Sequence, residues 1–306
     1  MRNVDDSMNP RIVKLATTLR DHFLGSSGKG DDVSIFLCGG SSPSESQFRR
    51  DLGSTVSATK SKYRYSVYYA EDMFVELILG HQRQDLLTLE NLLAESVSAV
   101  VILLQSPGTF AELGAFSNHP RLKDRLLVVI DPHHQRSQSF INTGPVRHLQ
   151  KQTKSKVIYH SMQPSDITSL SKSVIQASRD IGVATPPTKD MTNPIASQEF
   201  YLGLVMTLDP VPRSAVLSLA RALHPGSPAL SQTAAETVLN ALVNQGNAIL
   251  VSGTLRISQK GVDTLFAGAR TEIRKSQLRS FLSQLRMEAL NVMLRRRRDR
   301  LWGVAA

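Results

Sequence analysis

Apolar and polar positions alternate along this chain between two periods. Ile12 to Phe23 places apolar residues at 12, 15, 16, 19 and 23, a helical spacing. Short apolar runs then recur: Val33–Leu37, Tyr65–Tyr69, Ala99–Leu104, Leu126–Ile130 and, more weakly, Val157–Tyr159. Helical stretches fall between and after them, at 47–55, 86–97 and 167–181. Near-continuous apolar runs alternating with helices predict a parallel α/β sheet of Rossmann-like type, with right-handed crossovers.

The pattern changes after residue 182. Residues 183–198 hold three prolines (Pro186, Pro187, Pro194) and no apolar period, and are expected to be a linker. Beyond it come a helix at 215–223, a helix at 231–244 with Ser231 as N-cap, two short strands at 248–251 and 254–257, and a helix starting near 258–261. Helix, helix, hairpin, helix is the order of a winged helix. A last helix, 272–300, carries Leu278, Leu282, Leu285, Ala289 and Val292 at heptad-like spacing. The expected division is therefore an α/β domain over 1–182, a linker over 183–198 and a winged-helix domain with a basic helix over 199–306.

Charge sharpens the second half. The net charge is +10, and residues 270–300 hold ten basic residues against three acids, so +7 of the +10 sits there. Arg274, Lys275, Arg279, Arg295, Arg296, Arg297, Arg298 and Arg300 are the candidate phosphate contacts. A solvated basic tail is the plainer alternative. The single cysteine, Cys38, excludes an internal disulfide and a Cys-rich metal site. His133 and His134 lack a third ligand at metal spacing, so no metal is expected. No apolar run reaches membrane-spanning length and the N-terminus has no signal-peptide core, so a cytoplasmic location is the default.

Candidate chemistry gathers where strands end. Ser106–Phe116 follows the third strand through a short turn containing Gly108. The start of a helix at a strand's carboxyl end is an anion site in such sheets. Glu112 there is either a nucleophile or cation stabiliser, or an acid that merely favours the helix dipole. Thr109 can cap the helix and bond a hydroxyl or phosphate. Gly39 and Gly40, after the first strand, form either a phosphate cradle or an ordinary tight turn. Glu71 and Asp72 end the second strand, where acids can meet ribose hydroxyls. Glu90 precedes the third strand and reaches either the same crevice or solvent. Asn142, in the turn 139–147, can touch a substrate or a neighbouring subunit. Cys38 reads as a packed residue.

The segments IFLCGG (35–40), AEDMF (70–74), LENLLAE (89–95), SPGTFAELGAFSN (106–118) and SFINTGPVR (139–147) resemble nucleoside 2-deoxyribosyltransferase-like proteins. More narrowly, they resemble the effector proteins of bacterial retrons, anti-phage systems whose reverse transcriptase makes a branched RNA–DNA. In the C-terminal half the likeness is architectural only. The resemblance implies a deoxyribosyltransferase-like fold, cleavage of an N-glycosidic bond with Glu112 as nucleophile, and a homo-oligomer. It implies a toxin that uses NAD or a related nucleotide as substrate, needs no cofactor, and is controlled by the reverse transcriptase with its single-stranded DNA. The chain departs from the transferases at Ser98 and Pro107, where they tend to carry acids, which points away from a plain deoxynucleoside substrate. A nucleotide-sensing DNA-binding regulator and a salvage deoxyribosyltransferase are the alternatives.

Overall fold

The computed structural model describes residues 9–25, 32–72, 86–269 and 271–301, with side chains placed outside 86–89 and 295–301. The chain divides into two compact units. One is Gly28–Thr188; the other joins Met1–Ser27 to Lys189–Ala306.

The first unit is an α/β sheet. Its strands are β1 (Asp32–Cys38), β2 (Arg64–Tyr68), β3 (Ala99–Leu103), β4 (Leu126–Ile130) and β5 (Lys156–Tyr159), all parallel in the order β2-β1-β3-β4-β5. Two helices on one face, α2 (Pro43–Ser57) and α6 (Ile167–Ala184), bury Val33, Ile35, Leu37, Ala99, Val101, Leu103, Leu127 and Val129. The alternate residues, among them Phe36, Cys38, Val100, Ile102 and Val128, are buried on the opposite face. There α4 (Pro107–Ser117) packs on β3 and β4. The remaining helices of this unit are α3 (Leu86–Ser96) and α5 (Arg147–Gln152). Strand order reverses between β1 and β3, whose ends are held side by side by the pairing of Cys38 with Ile102. The crevice at the carboxyl ends of these two strands is the place such sheets bind ligands.

The second unit contains α1 (Pro10–Leu24), α7 (Gln198–Leu208), α8 (Arg213–Leu223), α9 (Pro228–Asn244), α10 (Gln259–Ala267) and α11 (Glu272–Leu301). A small antiparallel sheet of order β6-β8-β7 joins Val211–Pro212, Thr254–Ile257 and Ala248–Val251. The hairpin turn is Ser252 and Gly253, both at positive φ (48° and 75°), a pairing suited to a two-residue hairpin loop. α11 buries Leu278, Leu282, Leu285, Ala289 and Val292 within its own unit.

Several expectations are corrected. The expected sheet domain includes α1, but Leu15, Ala16 and Leu19 join a core with Phe200, Tyr201 and Leu204 of the second unit. An apolar period declares that a face is buried, not against what. The linker expected at 183–198 is partly built: Met191 is buried, and Asn193 Oδ1 accepts from the Ile195 and Ala196 amides, both at 2.9 Å. α7 escapes the helical pattern because it is apolar on nearly every side and shows no amphipathic stripe. α9 starts at Pro228 after Ser227, while Ser231 lies buried inside it and bonds His224 Nδ1 at 3.0 Å.

Candidate active site

Glu112 sits on the second turn of α4, over the switch point. The turn that aims it is closed by Thr109. Its hydroxyl donates to the Ser106 carbonyl (2.7 Å) and accepts from the Gln105 and Ser106 amides (3.1 Å each). Thr109 is buried at 1% exposure. Its hydroxyl is spent on the turn, which is the capping role expected of it, and in this geometry it keeps no free bonding capacity for a substrate. Gly108 lies in open space: a Cβ added there would meet only Ser106 Oγ, at 3.8 Å.

Around Glu112 the structure gathers acids. Burial, then the Glu90 carboxylate, lifts the Glu112 carboxyl to about 7; Cys38 and Arg49 pull the other way. Glu90 is itself raised, by burial and then by Glu71. One Glu112 oxygen, Oε2, is buried with no hydrogen-bond partner. A half-buried carboxylate with an orphan oxygen is costly to the fold and valuable to a ligand that completes it. Cys38, at the end of β1, is buried, and burial followed by Glu112 raises its thiol far above the ordinary range. It is therefore a thiol donor to the carboxylate, not a thiolate nucleophile.

Arg49 of α2 is the cation that the sequence did not single out. Its Nη2 pairs with Glu71 Oε1 at 2.5 Å, and its side chain is only 12% exposed. Its Nε is buried without a partner. Arg50 also pairs with Glu71 (3.0 Å), holds Asp72 (2.6 Å) and lies over the Tyr69 ring at 4.0 Å. Glu71 and Asp72 thus reach the crevice edge already ion-paired. The legible signal was charge complementarity: Arg-Arg on the helix after β1 against Glu-Asp after β2. Gln105 is a second omission; its Oε1 is buried without a partner.

The two glycines are explained by packing. A Cβ on Gly39 would come within 2.9 Å of Arg49 Cδ, and one on Gly40 would overlap the Glu45 carboxylate. Glu45 is tied to Ser42, whose hydroxyl donates to it at 2.6 Å, in the capping box of α2. These glycines let α2 start close to β1, which brings Arg49 to the site. Asn142 braces its own loop, its amide donating to the His134 and Ser137 carbonyls (2.6 and 2.8 Å). Ser98 lies at the opposite, amino-terminal edge of the sheet, bonded to Ser34. Its lack of a carboxylate therefore does not bear on this crevice.

In the second unit the candidate phosphate contacts are spread along α11. Arg274 is exposed, Lys275 pairs with Glu272 at 2.7 Å, and Arg279 lies 5.1 Å over the Phe266 ring. Arg295, Arg296, Arg297, Arg298 and Arg300 fall on the helix beyond the described side chains. Among the described residues no helix is long and apolar enough to cross a membrane.

A family model, the STM3845 retron effector protein, matches residues 45–249. The chain is 28% identical over 281 residues, 88% of each chain, to an Escherichia coli protein named "Retron Ec86 putative ribosyltransferase/DNA-binding protein". A second Escherichia coli protein with the same description, from retron Ec73, is 28% identical over 121 residues, 39% of this chain and 38% of its own.

Proposed function

The chain belongs to the STM3845 retron effector protein family, and from that premise we propose that its sheet unit is an N-glycosidase acting on NAD. It would serve as the toxin of an anti-phage retron, with a deoxyribosyltransferase-like catalytic fold and a winged-helix, DNA-binding second unit. The reverse transcriptase and its branched RNA–single-stranded DNA would control it. The observation that carries this is the Glu112 carboxyl: half-buried at the switch point, one oxygen unpartnered, and titrating near neutrality beside Glu90 and Glu71.

An acid-rich crevice suits a cationic substrate and a cationic transition state. In NAD the nicotinamide ring is a pyridinium. As the C1′–N bond breaks, its electron pair moves to the ring nitrogen, and nicotinamide leaves neutral without needing a proton. The positive charge passes to the ribosyl carbon. Glu112, ionised, stabilises that cation or bonds to it. Water then adds at C1′ and releases one proton, giving ADP-ribose; a nucleoside acceptor in place of water would give transfer. The pyridinium and the cation both favour the ionised form of Glu112 that burial and Glu90 disfavour.

Incubating the chain with NAD, with and without its reverse transcriptase–DNA partner, tests this. Nicotinamide release that vanishes in Glu112→Gln is expected. Release that survives the substitution removes Glu112 from the chemistry, and cleavage of deoxynucleosides in its place moves the activity to deoxyribosyl transfer.

A further inference from the structure

A groove in the second unit lies outside everything described so far. It runs between α1 and α11 and encloses about 590 Å³, well within the size range of ligand-binding clefts. Its apolar lining comes from Leu15, Phe281, Leu285 and Val292. Its α1 wall carries Arg11, Lys14 and Thr18, spaced along one helical stripe. Arg11 and Lys14 are exposed. Neither side chain has an ion-pair partner among the described residues. The α11 wall adds the amides of Gln284 and Asn291, and its Glu288 accepts from Gln284 Nε2 at 3.3 Å. One turn beyond Asn291 the sequence enters Arg295–Arg298.

We infer that this groove is a binding site for single-stranded nucleic acid, with phosphates on Arg11 and Lys14 and bases against the Phe281 side. The inference rests on the proposal that the second unit binds nucleic acid, and it names where. Charge complementarity selects the occupant: the two cations without partners sit on one wall, and the helix beyond becomes strongly basic. The apolar floor selects the form. Phe281 is itself stacked on His22, ring centroids 4.3 Å apart, so the groove offers an apolar floor of Leu15, Phe281, Leu285 and Val292. A duplex hides its base faces and offers a convex rod, whereas a single strand presents planar apolar faces to such a floor and its backbone to a cationic rim. Nothing in a solvated tail requires an apolar groove beside the cations.

Binding of a fluorescent oligothymidylate to the full chain, followed by anisotropy across a salt series, tests it. Arg11→Ala with Lys14→Ala removes only exposed side chains. It is expected to weaken binding about tenfold or more and to reduce the salt slope by about 1.4, two contacts at roughly 0.7 each. Thr18→Trp keeps every charge but fills the groove, and is expected to weaken binding as well. Lys172→Ala, an exposed cation of the sheet unit, is expected to leave affinity unchanged. Wild-type affinity in both groove variants overturns the site while leaving DNA binding elsewhere on the chain intact. No binding by the wild type even at low salt removes the DNA-binding proposal itself. A polyglutamate peptide that binds through Arg11 and Lys14 where oligothymidylate does not would assign the groove to an acidic protein segment and overturn the inference.

Discussion

Each unit holds a buried or half-buried glutamate in a helix, and the two are treated in opposite ways. Glu236 in α9 is 9% exposed and accepts from Gln232 Nε2 at 2.9 Å, one turn away on the same helix. Glu112 in α4 has a buried oxygen with no donor, and its nearest charged neighbours include two more acids. The first arrangement satisfies a polar group so that a helix can pack. The second leaves a carboxylate disfavoured in its charged form, which a proton or a cationic ligand relieves. The difference teaches that burial alone does not mark a functional acid; missing partners do.

The largest effect is expected at Glu112. Glu112→Gln should lower NAD cleavage by at least about 10³-fold, roughly 4 kcal/mol of barrier, and should not destabilise the fold. The carboxyl titrates near 7 in the folded chain against an ordinary value of 4.5. The folded state therefore holds a proton that the unfolded state has released. The stability this contributes is complete below about 4.5 and is lost as pH rises towards 7, by at most about 3 kcal/mol. Wild type and Glu112→Gln should melt alike at pH 4.5, and the variant should be the more stable above pH 7. Parallel melting curves across that range would show that Glu112 is no more strained than Glu236. Because cleavage needs the ionised form, kcat/KM should rise with pH through about 7.

Arg49 offers a finer cut. It holds Glu71 and lowers Glu112. Arg49→Met should reduce kcat/KM at pH 7 by about 10- to 100-fold, or roughly 1.4–2.7 kcal/mol. It should also move the rising limb of the pH profile to higher pH, with Arg49→Lys recovering part of both. A lower rate with an unmoved profile would make Arg49 a packing residue. Glu71 retains Arg50 in either variant, so the crevice edge should stay folded.

How much of this was legible follows from the range of the interactions. The strands were readable because a parallel sheet buries both faces and its strands become unbroken apolar runs, as at Leu126–Ile130. Glu112 was readable because a helix starting after such a run places its first turns at the crevice. Arg49 was missed, since its one signal, Arg-Arg against Glu-Asp, gains meaning only when Glu71, 22 residues away, is brought beside it. α7 escaped because Phe200, Tyr201, Leu202, Leu204 and Val205 bury every side of it. The allegiance of α1 lay in a partner nearly two hundred residues downstream. Thr109 was readable as a cap, but not as a hydroxyl with nothing left for a ligand, because that follows from all three of its hydrogen bonds.

That capping role is itself testable. Thr109→Val keeps the shape and strands the Gln105 and Ser106 amides. It should cost about 1–3 kcal/mol in denaturant melts, with Thr109→Ser restoring most of it. KM for NAD in Thr109→Ser should stay near wild type, as fits a hydroxyl that faces the turn. A large KM change with unchanged stability would return Thr109 to the substrate.

The smallest effect is expected at Asp72, and it separates residues that end in the crevice from those that only border it. Asp72 is 46% exposed and bound to Arg50, which is itself 37% exposed. Exposed pairs of this kind contribute about 0–1 kcal/mol and weaken with salt. Asp72→Asn should therefore change stability by less than about 1 kcal/mol and kcat/KM by only a few-fold, with Arg50 still held by Glu71 at 3.0 Å. A loss comparable to that of Arg49→Met would mean that Asp72 meets the ribose directly, and the boundary of the site would then extend along the end of β2.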